Sequence, residues 1–257
     1  MRPLALVLGL GWLVVPLVVI AGGLRDLDDA WLIPTERLRA MLTSAQAPPQ
    51  RWFLTVAQGR LHDLAELPQL GITAGCGWPD LHGRLAWERL GRSLYREDQA
   101  RLEVLVGPTW RVGCGVGLDQ LDLGESEPRR AFSLELRIQG SLPNGLRLDV
   151  WWPLTEAPTW YGRQGLRRWL RLDGGGKATV WSVTVDVTSE GTPTVQGEAM
   201  LRLAAAGALG LRFEPWSGAA GFTMAWRLGP VLWRSSHLVH PDLGTSHRWS
   251  FDLGGGS

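Results

Sequence analysis

The chain has 257 residues, 45% of them hydrophobic and 20% charged, which excludes global disorder and allows one large domain or two small ones. Its 26 basic and 25 acidic residues leave a net charge of +1, so it lacks the basic surplus of a nucleic-acid binder. The 33 glycines and 16 prolines interrupt the chain too often for a helical bundle or a long coiled coil.

Leu4 to Leu24 carry no charge. As a helix the run spans roughly 30 Å, the thickness of a hydrocarbon core. Arg2 precedes it and Asp26, Asp28 and Asp29 follow, a bias that keeps Met1 in the cytoplasm. Residues 1–24 therefore read as a transmembrane anchor. The alternative is a signal peptide cut near Ala21-Gly22-Gly23. Either way, the chain beyond about residue 25 is exported.

Residues 25–50 read as a short helix and a linker. Thr35 and Glu36 begin an amphipathic helix with Leu38, Met41 and Leu42 on one face, and the prolines of residues 45–50 end it. An exported β-rich domain is expected over residues 51–253. Its first strand is RWFLTVA, residues 51–57. Ala86, Leu90 and Leu94 suggest a short helix, and residues 101–106 a strand.

From Phe132 onward the pattern has period two. Phe132, Leu134, Leu136 and Ile138 alternate with Ser133, Glu135, Arg137 and Gln139. After the turn at LPNG come Leu146, Leu148, Val150 and Trp152, then Trp181, Val183, Val185 and Val187. Further rows follow through Leu209, Leu211 and Phe213, then Phe222, Met224, Trp226 and Leu228, and finally Trp249, Phe251 and Leu253. Residues 254–257 read as an appended Gly/Ser tail.

The fold expected is mainly β: an antiparallel meandering sheet, as a sandwich or a curled sheet, preceded by one N-terminal transmembrane helix and the short amphipathic helix. The apolar rows are expected to form its core and the polar rows to meet water. The same alternation also describes an outer-membrane barrel, which an uncleaved anchor disfavours.

Cys76 and Cys114 are the two cysteines, and in an exported domain they suggest a disulfide worth roughly 4 kcal/mol. His237, His240 and His247, with Asp242, are the candidate metal ligands, although solvated loop histidines are the simpler reading. Gly174-Gly175-Gly176-Lys177 lacks the spacing of a phosphate loop and reads as a hairpin turn. Ser235, Ser236 and His237 are adjacent, but adjacency builds no triad. No catalytic residue and no cofactor is expected.

The 15 tryptophans include the neighbours Trp151 and Trp152, which a strand points to opposite faces. With Trp169 and the surrounding Arg163, Arg167, Arg168 and Arg171 they form a candidate partner surface for anionic headgroups or an acidic protein.

GPTWRVG, residues 107–113, is similar to a Gly-Thr-x-Trp-x-Gly string of the type II secretion N proteins. VQGEAMLRL, residues 195–203, resembles their Gly-ended strands, and the whole architecture resembles the AsmA-like envelope families. The resemblance implies a non-catalytic, single-pass protein of the bacterial inner membrane with its bulk in the periplasm, acting as an assembly subunit of an envelope or secretion complex. The alternative is a periplasmic module that binds or transports lipid or another apolar ligand, and the third reading is an exported metal-dependent enzyme. Expected partners are the bilayer, through residues 4–24, and other envelope proteins, with lipid under the alternative reading and no nucleic acid.

Overall fold

A strand with alternating character has two unlike faces, and a meander of such strands must hide one of them or close on itself. This chain closes. The computed structural model describes residues 35–42, 52–60, 68–92, 95–124, 127–155, 168–187, 193–215, 217–242 and 244–255. Among the described residues, helix α1 (Thr35–Leu42) precedes 14 antiparallel strands. They are β1 (Trp52–Arg60), β2 (Pro68–Trp78), β3 (Leu81–Gly91), β4 (Arg96–Val106), β5 (Trp110–Asp122), β6 (Arg129–Ser141) and β7 (Arg147–Pro153). Then come β8 (Arg168–Gly175), β9 (Thr179–Val187), β10 (Thr194–Arg202), β11 (Gly207–Glu214), β12 (Ala219–Leu228), β13 (Val231–His240) and β14 (Gly244–Gly255). Each pairs with its neighbours in sequence, and β1 pairs with β14 from Trp52↔Gly255 to Arg60↔His247, completing a barrel.

The register fixes which residues point in. Arg248, Ser250 and Asp252 of β14 are buried, whereas Trp249, Phe251 and Leu253 are exposed. On β11, Arg212 and Glu214 are buried while Leu211 is 68% exposed. On β6, Ser133, Glu135 and Arg137 are buried and Phe132 is 72% exposed. The polarity is thus inverted relative to a water-soluble sheet: charge inside, hydrocarbon outside. Such a wall is stable only in contact with lipid, and the barrel contacts the bilayer with its strands.

The two ends differ. At one, the connections are short: residues 79–80, 107–109, 142–146, 176–178, 203–206 and 229–230. The start of β1 and the end of β14 lie at this end. At the other, residues 61–67, 123–128, 154–167 and 188–193 make longer links, beside short ones at 92–95, 215–218 and 241–243. Outward aromatics collect near both rims. Trp52, Trp78, Trp110, Trp181, Trp226 and Trp233 lie toward the short-turn end, and Phe132, Trp152 and Phe213 toward the other. These are the positions of interfacial girdles.

Four of these rings explain part of the glycine content. Trp110 lies opposite Gly140, Trp181 opposite Gly174, Phe213 opposite Gly197 and Trp226 opposite Gly207. A Cβ on Gly140 would come within 2.2 Å of the Trp110 ring, and the other three glycines are as crowded. The aromatic covers the glycine, and the glycine gives the aromatic a flat seat.

Several expectations are overturned. The sheet is a closed barrel, not a sandwich or curled sheet. Among the described residues no helix is long and apolar enough to cross a membrane, and the run at residues 4–24 lies outside them. The sequence places a water-facing body in the periplasm beyond a single-pass inner-membrane anchor. Instead, the body's own outer surface is apolar and the strands are what a bilayer surrounds. The helix expected around Ala86 and Leu90 is β3, whose Leu85 and Trp87 face outward; Leu94 lies outside the described residues. Gly254 and Gly255, assigned to a tail, are paired in β14. Cys76 and Cys114 are free. They sit on β2 and β5 with two strands between them, about 14 Å apart at normal strand spacing, beyond the ~7 Å a disulfide spans. The helix at Thr35, the turn at LPNG and the hairpin after Gly174 are present.

Replacing Leu211 with Arg puts a charge in the lipid band and is expected to cost about 2–4 kcal/mol, read from urea unfolding in lipid vesicles. Gly140→Val displaces Trp110 and is expected to cost about 1–3 kcal/mol in the same assay.

Candidate functional site

The inward rows of β4, β6, β7 and β8 bring long charged side chains to the same level. Arg137 is the centre. Its Nε donates to Asp149 Oδ1 at 2.8 Å and its Nη2 to Asp149 Oδ2 at 2.6 Å, a two-pronged pair. Its Nη1 donates to both carboxylate oxygens of Glu103, at 2.5 and 2.7 Å. Arg171 Nη2 reaches Asp149 Oδ2 at 2.9 Å, and Gln139 reaches the same oxygen at 3.2 Å. Asp149 is fully buried, so two guanidinium groups and an amide take the place of its water.

Two tryptophans line the same wall. Trp151 and Trp169 face each other across β7 and β8, with ring centroids 6.4 Å apart and planes within 8°. Trp151 Nε1 donates to Glu135 Oε2 at 3.0 Å. Arg101 lies over Trp151, and Arg137 and Arg171 lie over Trp169, each 5.3–5.5 Å from the ring centre. The indoles thus serve as rigid backing that holds the guanidinium groups in place.

Helix α1 occupies the short-turn mouth. Leu38, Met41 and Leu42 are buried against inward Val180, Met200, Ala208, Ala225 and Leu232. This is an apolar cluster in a mostly polar interior, and it matches the helix's apolar face. Arg39 Nη1 donates to the Pro230 carbonyl at 2.8 Å, Nη2 to that of Asp252, and Arg37 Nη2 to Gly145 at 2.9 Å. Burial lowers the Arg39 pKa from its usual value, with the Asp252 carboxylate opposing that shift. The helix is pinned to the hairpins it closes.

Between the plug and the charged belt lies a cavity of about 290 Å³. Seven arginines line it, Arg39, Arg84, Arg101, Arg137, Arg171, Arg234 and Arg248, against four carboxylates, Glu88, Glu103, Glu135 and Asp252. The formal balance of the lining is 7 − 4 = +3.

The residues singled out as a partner surface are separated by the wall. Trp151, Trp169 and Arg171 face the lumen and Trp152 faces outward. Arg163 and Arg167 lie outside the described residues, as does the side chain of Arg168. His237 and His247 stand side by side on the outer face, ring centroids 4.9 Å apart, whereas His240 points inward. Among the described residues no three His, Cys, Asp or Glu side chains are placed to hold a metal. The sequence reading missed Glu103, Arg137, Asp149 and the plug. The available signal was the facing of arginines and acids on strands expected to meet water.

No protein-family model and no curated protein matches the chain. Solved structures do. The outer membrane protein Omp33 of Acinetobacter baumannii superposes with a TM-score of 0.53 at 7% identity, covering 80% of this chain and 98% of that one. The KdgM porin, solved with disordered oligogalacturonate, gives 0.45 at 6%, covering 79% and 99%. Outer membrane phospholipase A from Escherichia coli gives 0.41 at 11%, covering 85% and 96%. The Omp33 likeness shows the barrel fold. It also overturns the resemblance to type II secretion N and AsmA-like proteins: GPTWRVG is a hairpin entering β5 and VQGEAMLRL is β10, strand-and-turn strings that a barrel also uses.

Arg137→Ala strands Asp149 and Glu103 without their shared cation. A loss of about 3–5 kcal/mol is expected in urea unfolding, with Arg137→Lys intermediate because it cannot make the two-pronged pair.

Proposed function

We propose that the chain is an outer-membrane β-barrel that admits small anionic solutes to an arginine-lined lumen, with α1 as the gate at the short-turn mouth. The observation that carries this reading is the excess of guanidinium groups around the cavity beside the plug. Rings of Arg select anions in pores, and low-dielectric walls strengthen the field that draws them in. The stacked Trp151 and Trp169 fix the arginines so that little ordering remains for the solute to impose.

The placement in the outer membrane rests on the even strand number, the girdles and the contrast between short turns and longer loops. In that setting the short-turn end, with α1, faces the periplasm. Export of the chain beyond about residue 25, under either reading of residues 4–24, is the first step of that route. The assembly-subunit reading is set aside, because it needs a water-facing body. The transport reading is nearer, with the difference that the apolar surface is the outside and the passage is polar. No chemistry on the solute is part of this function.

Leu38→Asp with Leu42→Asp places charge in the apolar seat of the plug. Planar-bilayer recordings should then show conductance well above that of the unaltered chain, with a reversal potential on the chloride side in a KCl gradient. A cation-selective current, or silence from a folded, plug-released barrel, would refute the proposal.

A further inference from the structure

The outer wall is mostly hydrocarbon; apart from the Arg89–Asp98 ion pair on β3 and β4, it is β13 and β14 that break that pattern. Ser235, His237 and His247 all point outward there. Polar side chains facing lipid are costly, and they mark functional positions. These three are joined in a chain. Ser235 Oγ lies 2.7 Å from His237 Nε2, and His237 Nδ1 lies 2.6 Å from His247 Nδ1. Two neutral proton arrangements satisfy both contacts, and one of them leaves a base on the hydroxyl. In that one the Ser235 hydroxyl donates to His237 Nε2, His237 Nδ1–H donates onward, and His247 accepts at Nδ1. That is a hydroxyl, a base within reach of it, and a third group that sets the base's tautomer. Phe222 stacks on the His237 ring at 4.6 Å and Trp249 on the His247 ring at 5.9 Å, so both imidazoles are held from the side.

Depth supports the same direction. His237 is three residues from the end of β13, and His247 three from the start of β14, both toward the long-loop rim. At strand rise and barrel tilt that is about 7–8 Å below the rim, the level at which glycerol esters meet acyl chains. Ser235 is 1% exposed, and the residues opposite it are Met224 and Trp249. Those side chains cover the hydroxyl, and access to it requires one of them to turn aside.

We propose that Ser235, His237 and His247 form an acyl-transfer centre on the lipid-facing wall, whose substrate is the acyl ester of a membrane lipid. Ser235 Oγ attacks the ester carbonyl carbon as its proton passes to His237 Nε2. The tetrahedral oxyanion lies beside the imidazolium just formed. Collapse breaks the carbonyl carbon–alkoxy oxygen bond, and His237 returns the proton to the departing alcohol, leaving an acyl-serine. Water, deprotonated by His237, then releases the fatty acid and restores Ser235. His247 is a positioning residue. The centre lies outside the lumen, so it stands or falls separately from the solute pathway.

The test uses the full chain in phosphatidylcholine–phosphatidylglycerol vesicles, with folding verified by heat-shifted gel mobility. Fatty-acid release and labelling by a fluorophosphonate, located by peptide mass spectrometry, are measured together. Expected are release of fatty acid by the unaltered chain, label on Ser235, and a fall of about 10²–10⁴-fold with Ser235→Ala or His237→Phe. His247→Phe should lower kcat more than KM, and His247→Asn, which can still accept from His237, should recover part of it. Equal turnover by the unaltered chain and Ser235→Ala, or neither release nor label from the folded barrel, overturns the proposal. Cleavage of a water-soluble short-chain ester alone overturns the lipid assignment. Plug-released conductance should be the same with and without His237→Phe, which keeps the two proposals distinguishable.

Discussion

The ladder between β1 and β14 is what makes the remaining features possible. A sheet with its apolar rows turned to hydrocarbon has no water to satisfy a free edge, so each unpaired amide or carbonyl there would carry its full desolvation cost. Joining the first strand to the last removes both edges. Once the edges are gone, the apolar rows can face lipid, and the polar rows must share a confined interior. The charged belt follows from that confinement: side chains as long as Arg137 and Arg171 are brought within reach of Asp149 from neighbouring strands and have nowhere drier to go.

The interior is divided along its length. At the short-turn mouth, inward positions are occupied by Val180, Met200, Ala208, Ala225 and Leu232, and there a helix with an apolar face can sit. Further along, the same inward rows carry Ser182, Thr184, Asp186, Glu198 and Arg212, and no such helix would be tolerated. The position of α1 is therefore encoded in the strands as much as in the helix. A seat so small, anchored by Arg37 and Arg39 to hairpin carbonyls, suits a part that is held but can be released.

Much of this was legible in the sequence. The alternation through Phe132–Ile138, Trp181–Val187 and Phe222–Leu228 marks real strands, and Thr35 begins a real helix. What alternation does not carry is sign. A row of Leu and Phe facing a protein core and a row facing lipid have the same period, so the choice of inside and outside depends on the other row. Arg137, opposite Trp151 and flanked by Glu103 and Asp149, needs partners that only neighbouring strands supply, and one strand's sequence does not show them. The same holds for Ser235, His237 and His247, which residue order separates and cross-strand register joins. The cysteines show the converse error: an even number says nothing about the two strands that lie between them.

The permanent positive charges around the cavity are all arginine, since the chain's one lysine, Lys177, lies in the β8–β9 turn. A guanidinium group keeps its charge across the whole biological range of acidity, whereas carboxylates do not. Acidification of the surroundings can therefore move the charge of the interior in one sense only, toward positive. Acid leaves the inside of this barrel more positive, never less.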